Sequence, residues 1–249
     1  MSRRIHVPTL SVGDIDLAPA QAHHLRDVLR MRAGDAVTAF DDHGLTGLAV
    51  VLCATPQRVT LRVSAAEADR RAKLAWTVAA AIPKGPRADW MIEKLAELGT
   101  GAFIPLSADR SVSLPAGNEK LARWSRLATE ASRQSGRSGV MRIDPITSVA
   151  QVVQTQQSGE RWYLSTRPGA KPVIEMTSAP PPDALLMLIG PEGGWTDEET
   201  SLLDASGFTP VRLAETILRV ETAAIAAAAM AAGWRHISLN SVPTNRPVE

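Results

Sequence analysis

The chain is poor in aromatic residues: three Phe, one Tyr and six Trp, 4% of 249 residues. A module that grips single strands mainly by stacking bases on rings would carry more of them. Cysteine is scarcer still. Cys53 stands alone, which excludes an internal disulfide and any Cys-rich zinc site and points to a reducing compartment. The opening "MSRRIHVPTL" lacks the apolar stretch of a signal peptide, so a cytoplasmic protein is expected. The longest apolar run, Ala223 to Trp234, is mostly alanine and falls short of the roughly 18 to 20 residues of a membrane span. It reads as a buried helix, and no membrane partner is expected. No G-x-G-x-x-G follows an apolar run, which argues against a nicotinamide-dependent oxidoreductase. His23 and His24 have no Cys or carboxylate at ligand spacing, so no metal is expected either.

What is present is ordinary for a globular protein. Hydrophobic residues make up 45% and charged residues 21%, enough for a sizeable core in one large or two modest domains. The net charge of +1 conceals a polarity along the chain. Residues 1–72 carry nine basic and eight acidic residues, residues 73–145 eleven and seven, and residues 146–249 seven and eleven. The excess is densest where Lys120, Arg123, Arg126, Arg133, Arg137 and Arg142 face only Glu130. A solvated helix face would look like this, and so would a surface for a polyanion. Leu121, Trp124, Leu127, Ala128 and Ala131 recur at helical spacing, and the helix breaks into "RQSGRSG", a loop whose arginines can follow a phosphate backbone.

Organisation changes near "EADRRAK", Glu67 to Lys73, giving expected domains 1–72 and 73–249. Before it, a short amphipathic helix (Ala22, Leu25, Val28, Leu29) precedes the β-rich runs "AVTAF", "LTGLAVVLCA" and "RVTLRV", separated by the turns "DDHG" and "TPQ". This predicts a small β-rich module, with Arg26, Arg30 and Arg32 beside its helix. After it, strands ("LAWTVAAAI", "AFIPL", "RWYLS", "ALLMLIG", "FTPVRLA") alternate with helices over Ala88–Leu98, Val149–Gln156, Asp197–Ala205 and Thr222–Trp234. Such alternation implies a parallel, helix-covered sheet. Gly99 follows the first helix at the position of a C-terminal cap, and "NSVPTNRPVE" reads as a frayed tail.

Two stretches then call for a ligand. "LIGPEGGWTDEE", Leu188 to Glu199, sets Gly190, Gly193 and Gly194 after an apolar strand. A glycine turn there ordinarily cradles phosphate, but Glu192, Asp197, Glu198 and Glu199 would repel one. Thr196 and Glu199 have the spacing of a capping box, which accounts for part of the acidity, and a plain tight turn would also use the glycines. "LAETILRVETAAIAAAAM" places Arg219 and Glu221 among Ile217, Leu218, Val220 and a run of alanines. Either these two pair with each other or with a neighbouring helix, or they belong to a built site.

Together with "HHLRDVLRMRAGD", "PKGPRADWMIEKLAELG" and "RWSRLATEASRQSGR", in this order, these stretches resemble the bacterial 16S rRNA (uracil-N3)-methyltransferase family, ribosomal RNA small subunit methyltransferase E, of the SPOUT superfamily. The resemblance covers nearly the whole chain. It implies an N-terminal PUA-like β-barrel that binds RNA, followed by an α/β domain whose parallel sheet carries a deep trefoil knot. It implies S-adenosyl-L-methionine as cofactor, a carrier of positive sulfonium and ammonium groups that an acid-rimmed glycine turn tolerates. The cofactor residues it implies are Ile189, Gly190, Glu192, Gly193 and Gly194 from one loop and Leu213, Ala214, Ile217, Leu218 and Arg219 from another. Leu164, Ser165 and Thr166 at an earlier strand end form a third group. Arg219 and Glu221 are the implied catalytic residues, and Arg26, Arg30, Arg32, Lys84, Arg87, Arg133 and Arg137 the implied contacts to 16S rRNA or the small ribosomal subunit. A homodimer is implied as well. The chain departs from the family at Ala214, where Gly is usual, at Glu215 or Thr216, one of which stands where Arg is common, and at Val220, where Thr is usual. A non-catalytic RNA-binding or assembly factor would use the same basic regions but would leave the glycine turn and "ILRVETA" without a purpose.

Overall fold

The computed structural model describes residues 3–68, 75–112, 117–155 and 159–240. Most of the expected boundary stretch and all but the first residue of the expected tail lie outside them. The chain forms two compact units, Met1–Lys73 with Ala128–Met141, and Leu74–Leu127 with Arg142–Glu249.

In the first unit, β1 (Arg4–His6), β2 (Gly13–Asp16), β3 (Ala36–Phe40), β4 (Leu45–Ala54), β5 (Val59–Val63) and β6 (Glu67–Ala68) form one sheet, ordered β1-β3-β4-β5-β2 with β6 on β4. The β1–β3 pair is parallel and the others antiparallel. Alternate residues of β3 (Val37, Ala39), β4 (Ala49, Val51) and β5 (Val59, Leu61, Val63) bury a core with Ile5, Val7, Leu10, Leu25 and Met31. The "DDHG" turn is built on Asp41, fully buried, whose carboxylate accepts the backbone N–H groups of Leu10, His43 and Leu45 at 2.9–3.1 Å. Three donors on one carboxylate satisfy what burial would otherwise penalise.

The amphipathic helix takes a form that its spacing did not predict. After α1 (Pro19–His23) the chain makes a π-turn over His24–Val28, in which Leu29 N–H reaches His24 O at 2.9 Å. The extra residue in that turn shifts the helical phase. Leu25 stays in the core, but Val28, expected on the same face, is exposed. Arg30 closes the segment at φ +54°, a left-handed conformation uncommon outside glycine.

In the second unit, β7 (Ala75–Ala80), β8 (Ala102–Ser107), β9 (Arg142–Ile143), β10 (Thr147–Ser148), β11 (Glu160–Leu164), β12 (Lys171–Pro172), β13 (Ala184–Ile189) and β14 (Thr209–Arg212) form a sheet ordered β10-β8-β7-β13-β11-β14-β12, with β9 on β8. Every pairing is parallel, as the alternation of elements predicts. The helices are α2 (Arg87–Glu97), α3 (Asn118–Ser135, whose last turns cluster with the first unit), α4 (Val149–Thr155), α5 (Val173–Met176), α6 (Asp197–Ala205) and α7 (Val220–Asn240). Val149, Val152 and Leu203 of α4 and α6 join Ile104, Leu106, Tyr163, Leu186 and Leu188 of the sheet in one core. α7 packs on α2 and on β7 and β13, and its Ala224, Ala227, Ala228 and Ala231 are buried there. Alanine is the side chain that permits so close a helix approach. Leu98 caps α2, with Gly99 beyond it at φ +98° and Thr100 N–H bonded to Leu95 O, as the sequence spacing indicated.

Candidate functional site

Three strand ends meet at the carboxyl edge of the sheet, where α/β folds place ligands. The segment after β13, Gly190 to Asp197, follows the middle strand. β11 ends beside it in Leu164 to Arg167, and β14 ends next in Leu213 to Arg219. These segments line one cavity of about 650 Å³. Its walls hold every residue implied for the cofactor: Leu164, Ser165, Thr166, Ile189, Gly190, Glu192, Gly193, Gly194, Leu213, Ala214, Ile217, Leu218 and Arg219.

The glycines have reasons internal to the protein. A Cβ on Gly190 would lie 2.8 Å from Cε2 of Trp195, inside contact distance with a ring. One on Gly193 would lie 3.2 Å from Cβ of Arg110. Gly194 has open space but sits at φ +72°, where a side chain is strained. The turn closes through Gly194 N–H to Pro191 O at 2.8 Å. The sequence leaves these glycines open between a turn that cradles a ligand and a plain tight turn; Gly194 has the positive φ of a tight turn, and at Gly190 and Gly193 the crowding comes from side chains of the chain itself.

Trp195 ties two of the loops together. Its Nε1 donates to Leu164 O at 2.8 Å, and its ring meets Tyr163 edge-on at 6.2 Å. Behind Leu164, Arg167 holds Asp204 of α6 through two bonds of 2.8 and 2.9 Å, and Tyr163 Oη donates to the same carboxylate at 2.8 Å. The Arg167 guanidinium, then the Tyr163 hydroxyl, keeps the Asp204 carboxyl below its ordinary range. Burial, reinforced by Asp204, pushes the Tyr163 phenol up. The helix after the turn starts with the capping box expected from its spacing: Thr196 Oγ1 accepts Glu199 N–H at 3.1 Å and Glu199 Oε2 accepts Thr196 N–H at 2.9 Å.

Arg219 lines the cavity, is exposed and makes no ion pair among the described residues. Glu221 does not line the cavity and is not its partner. It is buried, 4% exposed, with Oε1 at 3.3 Å from Arg87 Nη1 and Oε2 without a hydrogen bond. Of the two pairings the sequence left open, the inter-helix one is formed, α7 to α2. The cavity further includes Pro191, Trp195, Asp197, Thr200, Val211, Arg212, Val220 and Ala223, which the resemblance did not assign to the cofactor. Two signals could have found some of them. Thr200 and Ala223 lie one helical turn from Asp197 and Val220 on the same face, and Trp195 abuts the glycines.

The basic residues divide by pairing. In the first unit Arg26 is bonded to Asp27 and Arg133 to Glu130, whereas Arg30 and Arg32 have no ion pair among the described residues. The loop bearing Arg137 is fastened by its carbonyl, which accepts Arg4 Nη2 at 2.7 Å. His23 pairs with Asp27 at 2.6 Å, while burial, with help from Arg133, keeps the His24 imidazole below its ordinary pKa. In the second unit Arg87 holds Glu221, Arg123 holds Asp89, Arg142 holds Asp144, and Lys84 is exposed without an ion pair. Among the described residues, no group of three or more His, Cys, Asp or Glu is placed to hold a metal ion, and no helix is long and apolar enough to cross a membrane.

Comparison with known proteins accords with this geometry. Residues 70–232 match the family of RNA methyltransferase domains, and residues 17–64 match the RNA methyltransferase PUA domain. The ribosomal RNA small subunit methyltransferase E of Bacillus subtilis is 30% identical over 213 residues, 82% of this chain and 83% of that protein. Its counterpart from Synechocystis is 35% identical over 214 residues, 84% of this chain and 69% of that protein. The crystal structure of ribosomal RNA small subunit methyltransferase E from Neisseria gonorrhoeae bound to S-adenosyl methionine superposes with a TM-score of 0.80 at 29% identity, over 92% of this chain and 96% of that one. A parallel sheet with its cavity at the strand ends, a preceding PUA-like unit and relatives matching along most of their length place this chain in the ribosomal RNA small subunit methyltransferase E family.

Proposed function

We propose that the chain transfers a methyl group from S-adenosylmethionine to N3 of a uridine in 16S rRNA, in the cytoplasm and as a homodimer. Residues 73–249 would carry the chemistry and residues 1–72 would recognise the RNA; a trefoil knot in the former is part of this reading. The observation that carries it is the single cavity joining the three strand-end loops.

The residues present fit the cofactor. A volume of about 650 Å³ suits a small ligand. Ile189, Val211, Leu213, Ile217 and Leu218 give an apolar lining for a planar base. Glu192 and Asp197 supply negative charge for a sulfonium and an ammonium, and Arg219 supplies positive charge for a carboxylate or for the RNA substrate. When bound, the cofactor provides an electrophilic methyl group on sulfur.

The chain's own residues have the remaining work. Positioning supplies most of the acceleration, because the transfer needs an in-line nucleophile and little else. Uracil N3 becomes a good nucleophile only when its proton is lost, in this reading to solvent water because Glu221 lies outside the cavity, and Arg219 on the cavity wall would stabilise the resulting anion. Glu221 acts in this reading through position: its bond to Arg87 anchors the first turn of α7, two residues from Arg219. N3 lies on the pairing edge, so the base must be unpaired or flipped out when it is modified. Of the implied RNA contacts, Arg30, Arg32 and Lys84 have no carboxylate to neutralise them among the described residues and are best able to meet phosphate, with Arg26, Arg87, Arg133 and Arg137 more committed within the protein.

Titration calorimetry tests the cofactor and primer extension tests the product. S-adenosylmethionine should bind one site per chain. A strain lacking this protein should lose one strong reverse-transcriptase stop in 16S rRNA, since N3-methyluridine cannot pair with adenine, and regain it on complementation. A stop that persists without the protein overturns the assigned reaction.

A further inference from the structure

Resting on that reading, we infer that Arg110, which belongs to none of the three loops, is a positioning residue that shapes the glycine turn for the cofactor. Arg110 sits just beyond β8, in a turn closed by Ser111, whose Oγ accepts Ala108 N–H at 3.0 Å while its own N–H reaches Ala108 O at 2.9 Å. From there Nη1 donates to two carbonyls of the glycine loop, Gly193 O at 2.9 Å and Trp195 O at 3.3 Å. Its stem lies along the bare face of Gly193, with Cβ and Cδ at 3.2 and 3.4 Å from where a Cβ would stand. A second tie runs beside it: Asp109 N–H donates at 2.9 Å to Glu199 Oε1, the buried carboxylate that also completes the cap of α6.

The consequence follows from peptide planarity. The Gly193–Gly194 unit has its oxygen on Arg110 and its N–H on Pro191 O. The Trp195–Thr196 unit has its oxygen on Arg110 and its N–H on Glu199. Both planes are therefore held at both ends in a segment whose two adjacent glycines would otherwise leave it free to rotate. Arg110 makes no ion pair among the described residues and is exposed, so a cation is spent on neutral carbonyls. A charged donor holds an acceptor more strongly than a neutral one, and a turn fixed before binding spares the ligand the cost of ordering it.

Calorimetry with S-adenosylmethionine on the full chain decides the matter. Arg110→Met keeps the stem on Gly193 and removes the donors; its Kd should rise about tenfold, the loss expected for a charged hydrogen bond. Arg110→Lys keeps the charge without the fork and should recover part of that loss. The KM for cofactor should rise by a larger factor than kcat falls, and hydrogen exchange of the Gly194 and Thr196 amides should quicken in the ligand-free Met variant, which a general loss of stability would not confine to those two. Wild-type affinity in whichever variant folds overturns the assignment of Arg110. No binding by the wild type itself overturns the cofactor reading and this inference with it.

Discussion

The two main loops of the cavity differ in how much of their shape the protein supplies. The Gly190–Trp195 turn is fixed from every side, by Arg110 on two carbonyls, by Trp195 reaching Leu164 and by the capping box that follows. The Leu213–Arg219 loop is held by little: Arg212 lies 3.6 Å from a Glu215 whose side chain is 91% exposed, and Ile217 is 86% exposed although it lines the cavity. One wall is bonded within the protein, and the other presents an exposed apolar side chain and an exposed cation with no ion pair among the described residues. On the proposed function the first would set geometry, and the second would offer the groups whose energy is realised on binding and reaction.

The sharpest way to test that division is Arg219→Ala. If Arg219 acts on the substrate anion and not on the cofactor carboxylate, the variant should bind S-adenosylmethionine about as the wild type does yet methylate 16S rRNA on the order of 10²–10³-fold more slowly, the penalty for a lost charge donor at a developing anion; a matching loss of affinity would assign its charge to the cofactor instead. Single-turnover transfer of labelled methyl checks it. Full-rate transfer would remove Arg219 from the chemistry. The preformed wall should respond in the opposite manner. Gly190→Ala drives a methyl group into the Trp195 indole, so overpacking of about 1–3 kcal/mol should appear in the unfolding free energy as well as in weakened cofactor binding. If denaturant melts show unchanged stability, the turn is looser than its bonds indicate.

Much of this was legible in the sequence because local chemistry governs it. Thr196 and Glu199 at a spacing of three give the capping box, Gly99 stands one residue past the cap of α2, and apolar runs alternating with helical periods give the parallel sheet. What was not legible depends on contacts distant in sequence. Nothing local tells that Glu221 pairs with Arg87, 134 positions away, rather than with Arg219 two positions away. The same holds for Arg110 and Gly193, separated by 83. The amphipathic helix failed for another reason: a π-turn over His24–Val28 breaks the 3.6-residue period that the reading of Val28 assumed. A family resemblance named the cavity residues loop by loop, but the reasons for Gly190 and Gly193 had to come from what stands next to them.

For the open wall, Ile217→Ala is the informative change. Ile217 has almost nothing to lose in the free protein, so unfolding should move by less than about 0.5 kcal/mol. In the complex the side chain loses apolar area that the ligand would cover, and affinity should fall about five- to tenfold. The two measurements together distinguish a residue that packs in the protein from one that packs on the ligand. A drop in stability with unchanged affinity would reverse the comparison.

The smallest effect expected lies behind the third loop, where Arg167, Tyr163 and Asp204 join β11 to α6. Asp204 has its folded pKa depressed, first by the Arg167 bonds, below the 3.8 of the unfolded chain. The unfolded state therefore binds the proton more readily, and the contribution of this carboxylate is present above pH 3.8 and lost as the pH falls through the lower folded value. Because the Asp204 side chain is 39% exposed, solvent screens the pair and the loss should be slight. Asp204→Asn keeps the shape and an acceptor but cannot titrate, so its melting temperature should decline less steeply than that of the wild type on acidification below 3.8. Parallel curves for the two proteins would mean that this latch adds nothing to folding, and that the Leu164–Thr166 wall is held by the Trp195 bond to Leu164 O instead.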